Sequence, residues 1–160
     1  MDIFSATMRN NYPLSSENKE IIKIQAERLD GFYGGSLIYD PPFPGYGLMA
    51  NCRGDLISGT TLVEIKAPVI KEGRKPFNPE DFRQLLTYCA LNYLAKEKRN
   101  INKIHLVNPR MGYLWQADLE EFVYLISRSS STELFESIGN YLLELADSVD
   151  TAMNFYEINY

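Results

Sequence analysis

The chain has 160 residues, 45% of them hydrophobic and 12% aromatic, enough for one domain of ordinary size with a real core. This excludes an intrinsically disordered chain and a disulfide-stapled miniprotein, and Cys52 and Cys89 read as reduced core thiols. With 16 Lys and Arg against 21 Asp and Glu the formal net charge is −5, so binding nucleic acid would require a local basic surface, a metal or a partner.

No apolar run approaches the roughly 20 residues that span a bilayer. The opening MDIFSATMRNNYPLSSENKE also lacks the basic-then-apolar order of a signal peptide. The expectation is a cytoplasmic protein without a membrane partner.

In chain order, Ser15 or Ser16 caps a first helix through ENKEIIKIQAERLDGF. Ile21, Ile22, Leu29 and Phe32 share one face of it, and Gly31, Gly34 and Gly35 end it. Residues 30–47 form a loop rich in Gly, Pro and aromatics, with room for a short strand at 36–39. LMANCRGDLIS and LVEIKAP read as the arms of a hairpin turning at Ser58-Gly59, and VIKEGRKPFN as a polar loop. Asn78 and Pro79 cap and open a second helix, PEDFRQLLTYCALNYLAKEKRN. Phe82, Leu85, Leu86, Cys89 and Tyr93 form its apolar stripe, with acidic residues at its start and basic ones at its end.

INKIHLVN and MGYLWQAD read as two strands around Asn108-Pro109-Arg110, and LEEFVYLIS as a helix. After a break at 129–131, Thr132 caps a last helix in which Leu134, Ile138, Tyr141, Leu142, Leu145 and Val149 recur at near-heptad spacing. The order predicts an α/β or α+β fold, a small mixed sheet flanked by helices. Residues 1–128 are assigned to the domain and 129–160 to a C-terminal helical extension.

The informative stretch is Gly54-Asp55-Leu56-Ile57-Ser58-Gly59-Thr60-Thr61-Leu62-Val63-Glu64-Ile65-Lys66. Alternate side chains of a strand share a face, so Glu64 and Lys66 point one way while Val63 and Ile65 point into the opposite layer. With Ser58-Gly59 as the turn, Asp55 lies opposite Leu62 and Glu64 is its diagonal neighbour, about 7–8 Å away at the Cα level. Two converging carboxylates suit a hard divalent ion, Mg2+ with Mn2+ as a substitute, and a lysine beside them stabilises charge growing on a phosphorane. The competing reading makes Asp55 a turn residue, and Glu64 and Lys66 the solvated face of an edge strand.

GDLI, a short turn and LVEIK, followed by a helix carrying Gln84-Leu85-Leu86-Thr87-Tyr88, resemble the D…(D/E)xK core and QxxxY motif of the PD-(D/E)XK nuclease superfamily, RecB-like branch. The likeness covers residues 15 to 118. It implies a restriction-endonuclease-like core, with Asp55 and Glu64 as metal ligands and Lys66 as the catalytic lysine. Gln84 belongs to the same catalytic group, and with Tyr88 it positions substrate or the lysine. A first-helix Glu serves many relatives as a further ligand; Glu17 is the candidate by phase, against a role as a first-turn carboxylate complementing the helix dipole.

Three departures stand out. Position 54 is Gly rather than Pro, and two cysteines cannot hold the iron–sulfur cluster of some relatives, so no cluster is expected. The single histidine, His105, lies on a later strand and reads as an ordinary strand side chain.

Lys71, Arg74 and Lys75, on the loop after the catalytic strand, are candidates to contact phosphates, or are only a solvated surface. The resemblance implies a Mg2+-dependent deoxyribonuclease. So small and acidic a domain is expected to act within a DNA-repair or anti-phage defence assembly, joined to a second copy or a larger partner through its last helix. The alternative is a nuclease fold kept as a non-catalytic structural or nucleic-acid-sensing subunit.

Overall fold

The computed structural model describes residues 20–158, except 22, 25, 26, 28, 30, 34, 35 and 68–74, with side chains described as far as residue 150. The strands are β1 (Leu37–Tyr39), β2 (Pro42–Phe43), β3 (Cys52–Arg53), β4 (Leu56–Ser58), β5 (Thr61–Ile65), β6 (Lys103–Asn108) and β7 (Tyr113–Asp118). The helices are α1 (Pro79–Leu94), α2 (Leu119–Ser127) and α3 (Ser131–Ile158), and described residues between 20 and 29 are helical as well. A five-stranded mixed sheet runs β1-β4-β5-β6-β7, and β2 and β3 form a separate two-stranded ribbon. Only β5 and β6 are parallel, joined by a crossover that contains α1; the other neighbours are antiparallel.

Alternation along the strands builds two cores. Leu62, Ile104 and Leu106 face one way, onto Leu85 and Cys89 of α1, Phe122 of α2 and Phe135 of α3. Leu56, Val63 and Val107 face the other way, onto Leu29 and Tyr33. Cys52 and Cys89 are both free thiols, and burial pushes Cys89 up to about 12. Among the described residues no helix is long and apolar enough to cross a membrane.

Four expectations are revised by packing. Residues 48–58 do not form one strand. The chain changes partners at Gly54, whose N–H donates to the Pro41 carbonyl, so β3 pairs with β2 and β4 with β1. Next, α1 stops at Leu94 and has no basic residue in its last turn. Asn92 bonds both the N–H and the carbonyl of Arg99, which folds the basic segment back as a loop. Phe32 is 62% exposed and Tyr33 takes the inward place, because the helix ends in a turn held by the Leu29 carbonyl. Lastly, the cap of α3 is Ser130, whose hydroxyl accepts from the Glu133 N–H while the Glu133 carboxylate accepts from the Ser130 N–H. Ser15, Ser16 and Ile22 lie outside the described residues.

The first turns of α3 belong to the domain rather than to an extension starting at 129. Phe135 is buried in the main core, and α3 approaches α1 closely at Gly139, where a Cβ would sit 2.7 Å from Leu94 Cδ2 and require that side chain to shift. Tyr141 is 63% exposed, and beyond the buried Leu142 the stripe leaves the globule, with Leu145 38% and Val149 37% exposed. Phe135→Ala is therefore expected to cost about 3–5 kcal/mol, and Val149→Ala about 0.5 kcal/mol or less. Urea unfolding of the two variants checks this; equal, small losses would place Phe135 outside the core.

Candidate active site

β4 and β5 pair with Ser58 opposite Thr61, leaving Gly59-Thr60 as the two-residue turn. Gly59 has φ +58°, as the first loop position of a type II′ turn requires. The turn thus lies one residue later than Ser58-Gly59. That slip moves both arms together, so the faces are kept, but extending the ladder past Leu56–Val63 sets Asp55 across from Glu64 rather than from Leu62.

Asp55 stands just outside β4, exposed, with Oδ2 accepting the Ile65 N–H at 2.7 Å. Gly54 beside it is buried, and a Cβ there would lie 3.1 Å from the Phe43 ring. Phe43 stacks on Tyr88 with ring centres 5.0 Å apart, which explains why position 54 carries no larger residue.

Glu64 is 3% exposed, between the sheet and α1. Its Oε1 accepts from Lys66 Nζ at 2.8 Å, while its Oε2 is buried without a hydrogen-bond partner. Lys66 continues the ladder through its N–H to the Val107 carbonyl at 2.7 Å. Its Nζ also donates to Gln84 Oε1 at 2.6 Å and lies 3.8 Å from Asp81 Oδ1. Gln84 in turn donates from Nε2 to the Tyr88 hydroxyl.

Asp81 was not among the residues expected in the site. It is the N3 residue of α1, whose Oδ2 accepts the Asn78 N–H at 2.9 Å while its own N–H donates to Asn78 Oδ1, a reciprocal capping box. The remaining oxygen, Oδ1, faces Lys66. The signal was in the sequence: Asp81, Gln84 and Tyr88 fall at i, i+3 and i+7, on one helix face.

Two carboxylates, Glu64 and Asp81, thus approach one ammonium, and the charge of Asp55 acts on Glu64. Burial, and secondarily the charge of Asp55, pushes Glu64 up to about 7 against the opposing pull of its bond to Lys66. Burial likewise raises Tyr88 to about 12, offset in part by the bond from Gln84. Tyr88 is 4% exposed, and it is joined to the site through Gln84.

A cavity of about 400 Å³ opens beside the lysine, lined by Lys66, Lys75 and Asp81 among others. Asp55, Glu64, Lys66, Gln84 and Tyr88 are thus brought together, and Lys75 stands at the cavity. Glu17, Lys71 and Arg74 lie outside the described residues. Among the described residues no group of three or more His, Cys, Asp or Glu side chains converges as a metal cage. Compared with protein-family models, curated proteins and solved structures, the chain matches none.

A carboxyl group whose pKa is higher in the folded state binds more protons there, so its contribution to stability falls as pH rises from about 4.5 to about 7. In metal-free buffer, Glu64→Gln is expected to be more stable than the wild type at pH 7.5, with the difference shrinking toward pH 4.5. Denaturant unfolding at both pH values checks this; a wild type equally favoured over the variant at both would remove the raised titration of Glu64.

Proposed function

We propose that the chain is a metal-dependent nuclease with a restriction-endonuclease-like core, hydrolysing phosphodiester bonds in DNA. The observation that carries this reading is the buried, unpartnered Oε2 of Glu64, set next to Asp55 and to a lysine locked by two acceptors. A buried carboxylate oxygen with no donor is costly in a purely structural role, which speaks against the solvated edge-strand alternative. The order of elements, a hairpin bearing the acids, a crossover helix bearing Gln84 and Tyr88, then two strands, supports the same reading.

The donors fit a hard divalent ion: two carboxylates, with no thiolate or imidazole beside them. Mg2+ is ordinarily held by one or two carboxylates plus substrate phosphate, so the lack of a three-residue cage is no obstacle. Asp55 and Glu64 would hold it, and when bound it supplies Lewis-acid stabilisation of the phosphate and a more acidic water.

The chain's own residues do the rest. Lys66 presents an ammonium to charge growing on the phosphate, and Gln84, anchored by Tyr88, fixes where that ammonium sits. Lys75, in the lining of the cavity, would contact a phosphate further along the strand. The exposed apolar residues of α3 support work within a larger assembly.

The test is incubation with circular and linear DNA and RNA in Mg2+, Mn2+ or EDTA. DNA cleavage is expected with either metal and none with EDTA. Lys66→Ala should lose about 10²–10³ in single-turnover rate with metal affinity little changed, since an ammonium is not a ligand. Asp55→Ala and Glu64→Ala should lose cleavage together with the stabilisation that Mg2+ confers on unfolding. Full activity of Lys66→Ala, or unfolding curves of the wild type indifferent to Mg2+, would overturn the reading.

A further inference from the structure

A second cavity, of about 150 Å³, opens at the same end of the sheet as the first, past the carboxyl ends of the parallel strands β5 and β6. The first begins at Lys66, and the second at Val107 and Asn108; Lys66 and Val107 share a backbone hydrogen bond. Asn108 links their walls. It is fully buried, donates from Nδ2 to the Pro76 carbonyl in the wall of the first cavity, and itself lines the second.

The two cavities differ in the charged groups they carry. The first carries Lys66, Lys75 and Asp81, whereas the second is walled by Phe32, Tyr33, Tyr113 and Leu114. Phe32 is 62% and Tyr113 52% exposed, so two aromatic rings are open to a ligand at this cavity. The back wall is fixed, because Tyr33 is 7% exposed and its hydroxyl is bonded to His105 Nδ1 at 2.9 Å. The volume is well below the roughly 300–1,000 Å³ of pockets for drug-sized ligands, which leaves room for one flat ring system.

On the nuclease reading the first cavity takes a phosphodiester, and one strand away lies an apolar aromatic slot. A polyanion carrying a flat ring on each unit matches that alternation. We propose that the Phe32–Tyr113 slot is a nucleobase-stacking subsite for the nucleotide next to the cleaved phosphate. The substrate is then a single strand, or a duplex end whose last base is unpaired. A base within a duplex cannot enter the slot, since both its faces are already stacked. This assignment rests on the nuclease reading and adds the substrate class to it.

The test uses the full chain with Mg2+ and two probes, a single-stranded DNA oligonucleotide and a blunt duplex of the same sequence, each carrying one 2-aminopurine. The wild type is expected to cleave the single strand with the lower KM and to quench 2-aminopurine on binding. Phe32→Ala and Tyr113→Ala should each raise KM for the single strand about tenfold, leaving kcat unchanged and abolishing the quench. Tyr113→Trp should behave as the wild type. Both side chains are mostly exposed, so the fold should survive, and thermal unfolding verifies it. If the wild type cleaves but the alanine variants keep its KM, or Tyr113→Trp fails as Tyr113→Ala does, the slot falls and the nuclease reading stands. If no probe is cleaved by the wild type, both fall.

Discussion

Everything at the candidate site depends on one electrostatic constraint: the Lys66 ammonium is shared among the Glu64 carboxylate, the Gln84 amide oxygen and the more distant Asp81 carboxylate. Asp55 adds a further negative charge nearby, which is felt in the raised titration of Glu64. Burial and the charge of Asp55 both oppose ionisation of Glu64 against the pull of Lys66. The Oε2 of Glu64 is left without a hydrogen-bond partner.

The geometry of the lysine is set by packing at some distance from it. Gly54 lets the Phe43 ring come close, Phe43 stacks on Tyr88, and the Tyr88 hydroxyl receives the Gln84 amide that in turn accepts from Lys66. Arg99 supports the same train from outside, donating to the Pro42 carbonyl with its guanidinium over the Phe43 ring. On the other side, the capping box of α1 leaves Asp81 only one oxygen for the lysine. The start of a helix and the stacking of a loop aromatic thus converge on a single Nζ.

The site lies at the carboxyl ends of the two parallel strands, where open sheets with helical crossovers commonly leave a crevice. Lys66 and its partners occupy the face covered by α1, and the aromatic slot the face covered by Leu29 and Tyr33. Asn108 lines the second cavity and is bonded to Pro76 in the wall of the first. A chain-like ligand crossing that edge meets both faces of the sheet.

What the sequence determined by itself is the set of features governed by local spacing. Period-two alternation put Glu64 and Lys66 on one face, Asn78-Pro79 marked the start of α1, and the i,i+4 spacing joined Gln84 to Tyr88. The strands at 103–108 and 113–118, the helix at 119–127 and the short strand near 36–39 were legible for the same reason. Tertiary structure decided whatever depends on partners remote in the chain. The turn moved to Gly59-Thr60, α1 ended early because Asn92 captured Arg99, and Phe135 entered the core where α3 packs on α1. The burial of Glu64 and the place of Asp81 beside Lys66 belong to this second group. The physical reason is that periodicity specifies which side chains share a face, whereas burial, charge coupling and close approach arise only when a second element is laid on that face.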